Sequence, residues 1–393
     1  MRSTIRSITP LLLSLAIVVP GSAATLEEVI EKHIDARGGQ GNWSKISSLR
    51  IRGDYTAFSK VEPFTLTRAR DNRYLLDTVM NGRVVVIGYD GATTWWDNHW
   101  FKEGAQRMTG IDAEVAKGDA HFVNPLWNYQ DLGMTAEYLG ETEYEGMPAL
   151  GIKLTRPDGA EETWYLDPDS YLEYARTAPG SDFGRPLPQR TFFDDFREID
   201  GVKIPYLVET QWYTRNRVMH VAEVEFNAKV EPAMFSMPAP EGMADLLNMV
   251  GNWKVAVAQR SRPDGPLTES ELEIEIGSGM DGRLIETHYT TSDEQEIQWA
   301  LSFDTFRKAY RLTEFSSGSG YMDVLQGTFG EDDKLTLSNV ETETSYKVGD
   351  LTVHSRFNVL EIMPDGFKIE REASIDGGEN WWVAVTEVYA RQP

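Results

Sequence analysis

The chain has 393 residues, a formal net charge of −24 and no cysteine. That length suits two domains that each bury a core, and the lack of cysteine excludes disulfides and thiolate metal sites. The acidity argues against nucleic-acid binding, because no basic cluster could meet a phosphate backbone; it fits either solubility or attraction of a cationic partner.

Residues 1–24 have the pattern of a cleaved secretory signal. Two arginines precede the apolar run 11–19, and the small residues 21–24 follow it. The run is about half as long as a membrane-spanning helix. We therefore expect an exported, periplasmic protein without a membrane span, cleaved after Ala23 or Ala24.

The mature chain opens with one amphipathic helix. Thr25 and Glu28 have the spacing of a capping box, and Gly38 with Gly39 predicts the helix end. Alternating strands follow, and the Asn-Gly pair between 74–80 and 83–89 predicts a hairpin. The alternation fails in residues 111–132, which predicts one or two covering helices.

Two later segments, 202–212 and 218–226, alternate most clearly, so each should have one face in an apolar interior. The expected inward residues are Val202, Ile204, Tyr206, Val208 and Trp212, followed by Val218, His220, Ala222, Val224 and Phe226.

A proline-rich linker, 236–245, separates two β-rich units. Proline removes backbone donors, so no inner strand runs through it. We expect a first domain at 25–235 and a second at 246–393. The second has about ten strands and no interrupting helix, which predicts an up-and-down β-barrel.

Four motifs in the first half resemble the LolA/LolB-like superfamily that sorts outer-membrane lipoproteins. They are the helix at 27–39 with its Gly-Gly end, Tyr89-Asp90-Gly91 before Trp95-Trp96, Trp164-Tyr165-Leu166-Asp167-Pro168, and Phe192-x-Asp194 before Asp200-Gly201-Val202. The resemblance covers about residues 25–238. It implies a mainly β fold, an open, curved antiparallel sheet (an unclosed barrel) with covering helices, whose apolar cavity takes acyl chains.

Residues 241–391 resemble a lipocalin- or nitrobindin-like family of uncharacterised barrels. The matching features are Gly251-x-Trp253, Gly282-Arg283 and Tyr389-Ala-Arg391. Haem-binding barrels of this class depend on a histidine close to the C-terminus, whereas the last histidine here is His354. This departure argues against haem, and we expect no cofactor.

The alternation of the first and last strands of the second domain predicts that Trp253 and Arg391 lie together where the barrel closes. The first and last strands of an up-and-down barrel are neighbours, so we expect both side chains to point inward with the guanidinium over the indole. Lipocalin-like barrels use a similar pair, which points the same way.

No pattern in the sequence predicts a metal site or a catalytic centre. The six histidines form none of the common zinc spacings. Asp90, Asp167 and Asp194 are the carboxylates that a hydrolase could use, yet they occupy turn positions without a base beside them.

The aromatic residues of the first half are the candidates for an apolar ligand cavity. Adjacent tryptophans on a strand face opposite sides of a sheet, so one of each pair exceeds the needs of a one-sided core. The candidate residues are Trp95, Trp96, Trp100, Phe122, Trp127, Trp164, Tyr206, Val208, Trp212 and His220. The alternatives are a thick core with helices on the far face and, for His220, a hydrogen-bonded core histidine.

These observations favour a non-enzymatic binding or carrier protein for a lipid or lipoprotein acyl chain. Its partners would be an apolar or lipid ligand and an envelope protein that loads or receives it. The alternatives are an extracytoplasmic hydrolase that uses Asp or Glu side chains and a structural adaptor without a ligand.

Overall fold

The computed structural model describes residues 24–392 except 183, 214 and 293. The expected signal segment lies outside the described residues, apart from its last position. The described chain is mainly β and forms two antiparallel sheets.

Within the described residues, three α-helices and four short 3-10 segments interrupt the strands. They are α1 (Leu26–Ala36), α2 (Gln40–Trp43) and α3 (Gly110–Asp119), with 3-10 segments at Pro125–Trp127, Pro232–Phe235, Leu246–Met249 and Met280–Gly282.

The first sheet has 13 strands. They are β1 (Ser48–Ala57), β2 (Lys60–Ala69), β3 (Arg73–Met80), β4 (Arg83–Tyr89), β5 (Thr94–Asn98), β6 (Lys102–Arg107), β7 (Thr135–Tyr144), β8 (Met147–Thr155), β9 (Glu161–Leu166), β10 (Glu173–Asp182), β11 (Arg185–Ile199), β12 (Val202–Trp212) and β13 (Arg215–Phe226). Its order runs from β6 down to β1, then from β13 down to β7. The predicted open antiparallel sheet is confirmed.

The second sheet contains the remaining strands. They are β14 (Gly251–Gln259), β15 (Thr268–Gly279), β16 (Leu284–Thr290), β17 (Glu296–Asp304), β18 (Ala309–Ser316), β19 (Met322–Phe329), β20 (Leu335–Ser338), β21 (Tyr346–Val348), β22 (Leu351–Met363), β23 (Gly366–Ser374) and β24 (Trp382–Arg391). Ten of them close into a barrel, because β14 pairs with β24 and β20 pairs with β22, while β21 pairs with β22 alone. The predicted barrel is confirmed.

Contacts within the chain divide it into two compact units. The first unit comprises residues up to 47 together with 123–222, and the second comprises 48–122 together with the chain from 223 onward. The domain limits expected at the proline-rich linker stay a prediction.

In the first unit, α1 is the predicted amphipathic helix. The Thr25 hydroxyl accepts from the Glu28 amide, and the Glu28 carboxylate accepts from the Thr25 amide, which completes the capping box. After the helix, Gly38 has φ of +106°, and a Cβ there would lie 2.0 Å from the carbonyl oxygen of Gly201. Only glycine fits this approach of the helix end to the turn between β11 and β12.

In the second unit, the inward residues of β1 are those that the alternation predicts, Leu49, Ile51 and Tyr55. The Asn81-Gly82 turn joins β3 to β4, as expected. The helical signal in 111–132 resolves into α3 and the 3-10 segment at Pro125–Trp127, so the second covering element is only one turn long.

The barrel is closed at the Trp253–Arg391 pair. The two residues are directly opposite each other on β14 and β24, and the guanidinium carbon lies 4.3 Å from the indole centroid. Trp253 is fully buried, whereas Arg391 is exposed, because β24 ends at this residue and the side chain lies at the barrel rim. Its N–H groups donate to the carbonyl oxygens of Val250 (3.1 Å) and Asn248 (2.8 Å).

One charged network lies inside the barrel. Arg371 bonds Glu314 and Glu387, and its remaining nitrogen lies 3.4 Å from the Tyr289 hydroxyl. Burial alone would lower the pKa of Arg371, but the charges of Glu314 and then Glu387 raise it well above its usual range. Burial raises the pKa of Tyr389, whose hydroxyl donates to Glu387 at 2.9 Å. The half-buried cation therefore has three partners, Glu314, Glu387 and Tyr289.

Candidate ligand-binding face

In the first unit, one face of the sheet is covered in part by α1. Val29 and Ile30 of this helix pack against apolar side chains of β8, of β9 and of the segment before β7. These side chains are Leu126, Met134, Leu150, Ile152, Leu154, Trp164 and Leu166. We call this side of the strands the helix-covered face. The apolar stripe of α1 is the part of the sequence that dictates this packing.

A buried ion pair fastens α1 to the sheet. The Arg37 guanidinium bonds the Glu173 carboxylate at the start of β10, and its Nε donates to the Lys203 carbonyl at 2.9 Å. Arg37 is 7% exposed and Glu173 is 2% exposed. Charges this deeply buried are stable only as a pair, so the end of α1 has one position on β10 and β12.

His33 lies beside this pair with one ring nitrogen unused. Its Nδ1 is 2.8 Å from the Tyr171 carbonyl, which only accepts, so Nδ1 carries the proton and Nε2 is left as an acceptor. Nε2 has no partner among the residues that the structure describes. Burial lowers the pKa of His33, although the nearby Glu173 carboxylate opposes this effect. The imidazole is therefore neutral, and Trp127 packs edge-on at 6.1 Å.

Beyond α1, two arginines and two threonines stand in one row across four strands. Arg176 of β10 is opposite Thr191 of β11, Thr191 is opposite Thr210 of β12, and Thr210 is opposite Arg217 of β13. Directly opposite residues point to the same side of a sheet, so all four lie on the helix-covered face next to Trp164. We call these four residues the arginine–threonine row.

Each arginine of this row lies over a tryptophan. The guanidinium carbon of Arg176 is 5.3 Å from the Trp164 centroid, and that of Arg217 is 3.9 Å from the Trp212 centroid. Trp212 is only 6% exposed, and its indole nitrogen has no partner among the described residues. Two planar cations are thus oriented by indole faces at the two ends of the row.

An apolar row runs beside the arginine–threonine row. Phe193 of β11 is opposite Val208 of β12, which is opposite Met219 of β13. Each lies two residues along its strand from a member of the polar row, and so on the same face. All three are half-buried, and the Phe193 ring stacks on Trp164 at 6.0 Å. Solvent therefore reaches part of the apolar row, which lies beside the two arginines of the arginine–threonine row.

Two carboxylates on this face already have partners. Asp182 pairs with Arg215, which is opposite Trp212, and Glu162 accepts a hydrogen bond of 2.9 Å from Trp164 Nε1.

The structure divides the predicted cavity residues between the units. Six lie in the first unit, namely Trp127, Trp164, Tyr206, Val208, Trp212 and His220. Val208 belongs to the apolar row, and Trp164 and Trp212 lie under the two arginines of the arginine–threonine row. Tyr206 shares their strand face and lies under Arg197 at 4.2 Å.

His220 faces the other way. It is opposite Leu207, the neighbour of Val208, and is exposed. The predicted inward parity of β13 is therefore wrong in this unit: Arg217 and Met219 point toward the helix-covered face, and Val218 and His220 do not.

The other four predicted residues belong to the second unit. Trp95 is buried and donates from Nε1 to the Phe235 carbonyl at 2.7 Å. Trp96 packs against the small residues of α3. Trp100 lies 5.4 Å from Phe58, and Phe122 is buried. These four residues have structural contacts of their own within that unit.

Of the three candidate carboxylates for hydrolysis, Asp90 and Asp167 serve turns, whereas Asp194 lies within β11 and not at the predicted turn. Asp90 accepts from the amide of Thr93 (2.7 Å), Asp167 from that of Ser170 (2.7 Å), and Asp194 from the next amide along the chain (2.7 Å). The backbone amide of Ser170 lowers the pKa of Asp167, as expected for a turn carboxylate. The bonds of Asp90 and Asp167 are those of turn-forming residues, and the bond of Asp194 is local to its strand.

The sequence analysis missed the arginine–threonine row. The only sequence signal was the presence of arginines on strands of an acidic protein. A row across four strands becomes visible only once the strand register is known.

Among the described residues, no helix is long and apolar enough to span a membrane. Likewise, no group of three or more His, Asp or Glu side chains in the described ranges is placed to hold a metal ion.

Comparisons with known proteins find similar solved structures. No family model and no curated protein matches the chain. A LolA superfamily protein from Nitrosomonas europaea is 13% identical with a TM-score of 0.38, over 55% of this chain and 98% of that one. A DUF1329 family protein from Desulfovibrio piger is 12% identical with a TM-score of 0.37, over 54% and 97%. The MucA/MucB complex of Pseudomonas aeruginosa is 10% identical with a TM-score of 0.20, and the match covers 93% of this chain and 93% of that one. At identities and TM-scores this low, the function of this chain has to be argued from its own side chains.

Proposed function

We propose that the protein is an exported, non-enzymatic binding or carrier protein for the acyl chain of a lipid or lipoprotein in the cell envelope. The apolar row carries this proposal. Phe193, Val208 and Met219 stand side by side on three strands, half-buried, next to the cluster under α1. An ordinary core would bury them fully, and an ordinary outer surface would have polar residues there.

Burial of an acyl chain is sufficient to drive such binding. Each methylene removed from water contributes about 0.8 kcal/mol, so ten methylenes supply about 8 kcal/mol, the equivalent of a Kd of about 1 μM before ordering costs. No bond has to be made or broken, and the function requires no catalytic group.

Export is part of the proposal and rests on the pattern of residues 1–24. An envelope protein that loads or receives the ligand would be the partner, with no nucleic acid involved. N-terminal sequencing of protein from its native envelope tests export: the expected start lies at Ala24 or Thr25, and an intact Met1 would contradict it.

A charge placed on the apolar row should abolish binding. We expect Val208→Glu to weaken binding of an environment-sensitive fluorescent fatty acid by more than about tenfold, because an unpaired carboxylate is costly in an apolar site. The measurement is titration of probe fluorescence together with quenching of tryptophan emission, for which Trp164, stacked on Phe193 of the apolar row, is a reporter.

Leu207→Glu is the matched control. Leu207 is the adjacent residue on β12, is also half-buried, and points to the opposite face beside His220. It should bind the probe as the unmodified protein does. Circular dichroism of both variants verifies folding, and unchanged binding by a folded Val208→Glu protein would refute the proposed site.

A further inference from the structure

The arginine–threonine row is a cationic strip in a protein with a formal net charge of −24. Among the described residues Arg217 has no ion pair, and its contact is the stack on Trp212. Carboxylates on this face have partners of their own: Asp182 is held by Arg215, Glu162 by Trp164, Glu173 by Arg37 and Asp195 by Arg197. A guanidinium that is half-buried and lacks a carboxylate retains its capacity to bind an anion.

The stack orients this cation. A guanidinium that lies flat on an indole uses its face for the contact and keeps its N–H edge for a planar or tetrahedral anion. Arg176 is held in the same way over Trp164 at the other end of the row. Neighbouring strands are about 4.8 Å apart, so the three spacings between the arginines span about 14 Å, with two threonine hydroxyls between them.

A buried donor lies next to this strip. Trp212 follows Thr210 by two positions on the same strand and face, is 6% exposed, and has no partner for its indole N–H among the described residues. A buried N–H without an acceptor costs free energy that a bound acceptor would recover.

We propose that the ligand of the helix-covered face is an amphiphile with one anionic head group, a carboxylate or a phosphate, bound at Arg217 and Thr210 while its chain lies along the apolar row. This inference rests on the proposed function and specifies the ligand class. The apolar row begins two residues from the arginine–threonine row on each strand, so head and chain binding regions are adjacent.

Four ligands with the same chain separate head from chain: dodecanoate, dodecyl phosphate, dodecanol and dodecyltrimethylammonium. Their affinities are measured below the micelle concentration by displacement of the fluorescent fatty acid. We expect the two anions to bind about 10- to 100-fold tighter than dodecanol, the range for one charge-assisted hydrogen-bonded contact, and the cation to bind no tighter than dodecanol.

Arg217→Gln should reduce the affinity of both anions to that of dodecanol while the affinity for dodecanol stays unchanged. The matched control is Arg190→Gln. Arg190 is the neighbour of Thr191 on the opposite face and pairs with Glu145 at 2.7 Å, so its loss should leave all four affinities unchanged. Arg217→Lys keeps the charge without the planar stack and should retain part of the anion preference.

The outcomes separate the two proposals. If dodecanol and the anions bind equally and Val208→Glu abolishes both, the head-group site is refuted and the acyl carrier stands. If none of the four ligands binds, the carrier is refuted and the head-group site with it. A preference for carboxylate indicates fatty acids, and a preference for phosphate indicates phospholipids.

Discussion

Removal of the buried carboxylate under α1 tests how firmly this helix is held. Glu173→Gln keeps the size of the side chain and removes its charge, which leaves the Arg37 guanidinium buried without a counterion. Arg37 retains its bond to the Lys203 carbonyl, and the neighbouring His33 loses the carboxylate that lies 3.8 Å from its Nδ1.

The magnitude follows from burial. The two side chains are 9% and 3% exposed, so solvent cannot replace the lost charge. Breaking a buried pair by removing one partner costs about 3–5 kcal/mol, which corresponds to an increase of about two to four powers of ten in the local opening of α1. The removal of an exposed partner costs at most about 1 kcal/mol.

Hydrogen–deuterium exchange of the amides in Leu26–Ala36 measures this opening directly. Glu145→Gln is the control, because Glu145 forms the exposed pair with Arg190 in the same unit, with side chains 51% and 44% exposed. Exchange in α1 should rise steeply in Glu173→Gln and less than about tenfold in the control. Equal effects of the two substitutions would refute the claim that the buried pair holds the helix.

The remaining predictions concern single side chains. Because burial lowers the pKa of His33, the unfolded chain takes up its proton first. Stability is therefore fully present above the unfolded value of about 6.5 and is lost as pH falls below it. His33→Gln should flatten this acid limb of a denaturation series by up to about 1.4 kcal/mol per pH unit, and an unchanged limb would contradict this role. Arg391→Lys should lower the unfolding temperature of the barrel, because an ammonium cannot stack on Trp253, and an unchanged temperature would count against the barrel-closing role. Gly38→Ala should be strongly destabilising in chemical denaturation, because its Cβ would lie 2.0 Å from a carbonyl oxygen of the turn between β11 and β12, and a stable variant would contradict that close approach.

Local signals explain why so much of the fold could be predicted. The capping box of α1, the Asn-Gly turn between β3 and β4, and the alternation in β12 each depend on residues within one turn or one strand. Such features are encoded by neighbours in sequence. The fold class and the closure of the barrel follow from their number and spacing.

The site depends on register, which the sequence does not encode locally. β13 carries apolar residues on both faces, and the longer apolar set, which includes Val218, is the one that faces away from Val208. This pattern hid Arg217 and Met219, which only the pairing with β12 places on the helix-covered face.

The contact between β14 and β24 has a consequence for the order in which the protein can be made. Arg391 bonds to the carbonyl oxygen of Asn248, 143 positions earlier in the chain. The first strand of the barrel therefore has no partner on one edge until β24 has been synthesised, and the apolar faces between them stay accessible until then. Pairings this distant in sequence form slowly and leave unpaired edges open to aggregation in the meantime. The barrel can close only once β24 is free to pair with β14.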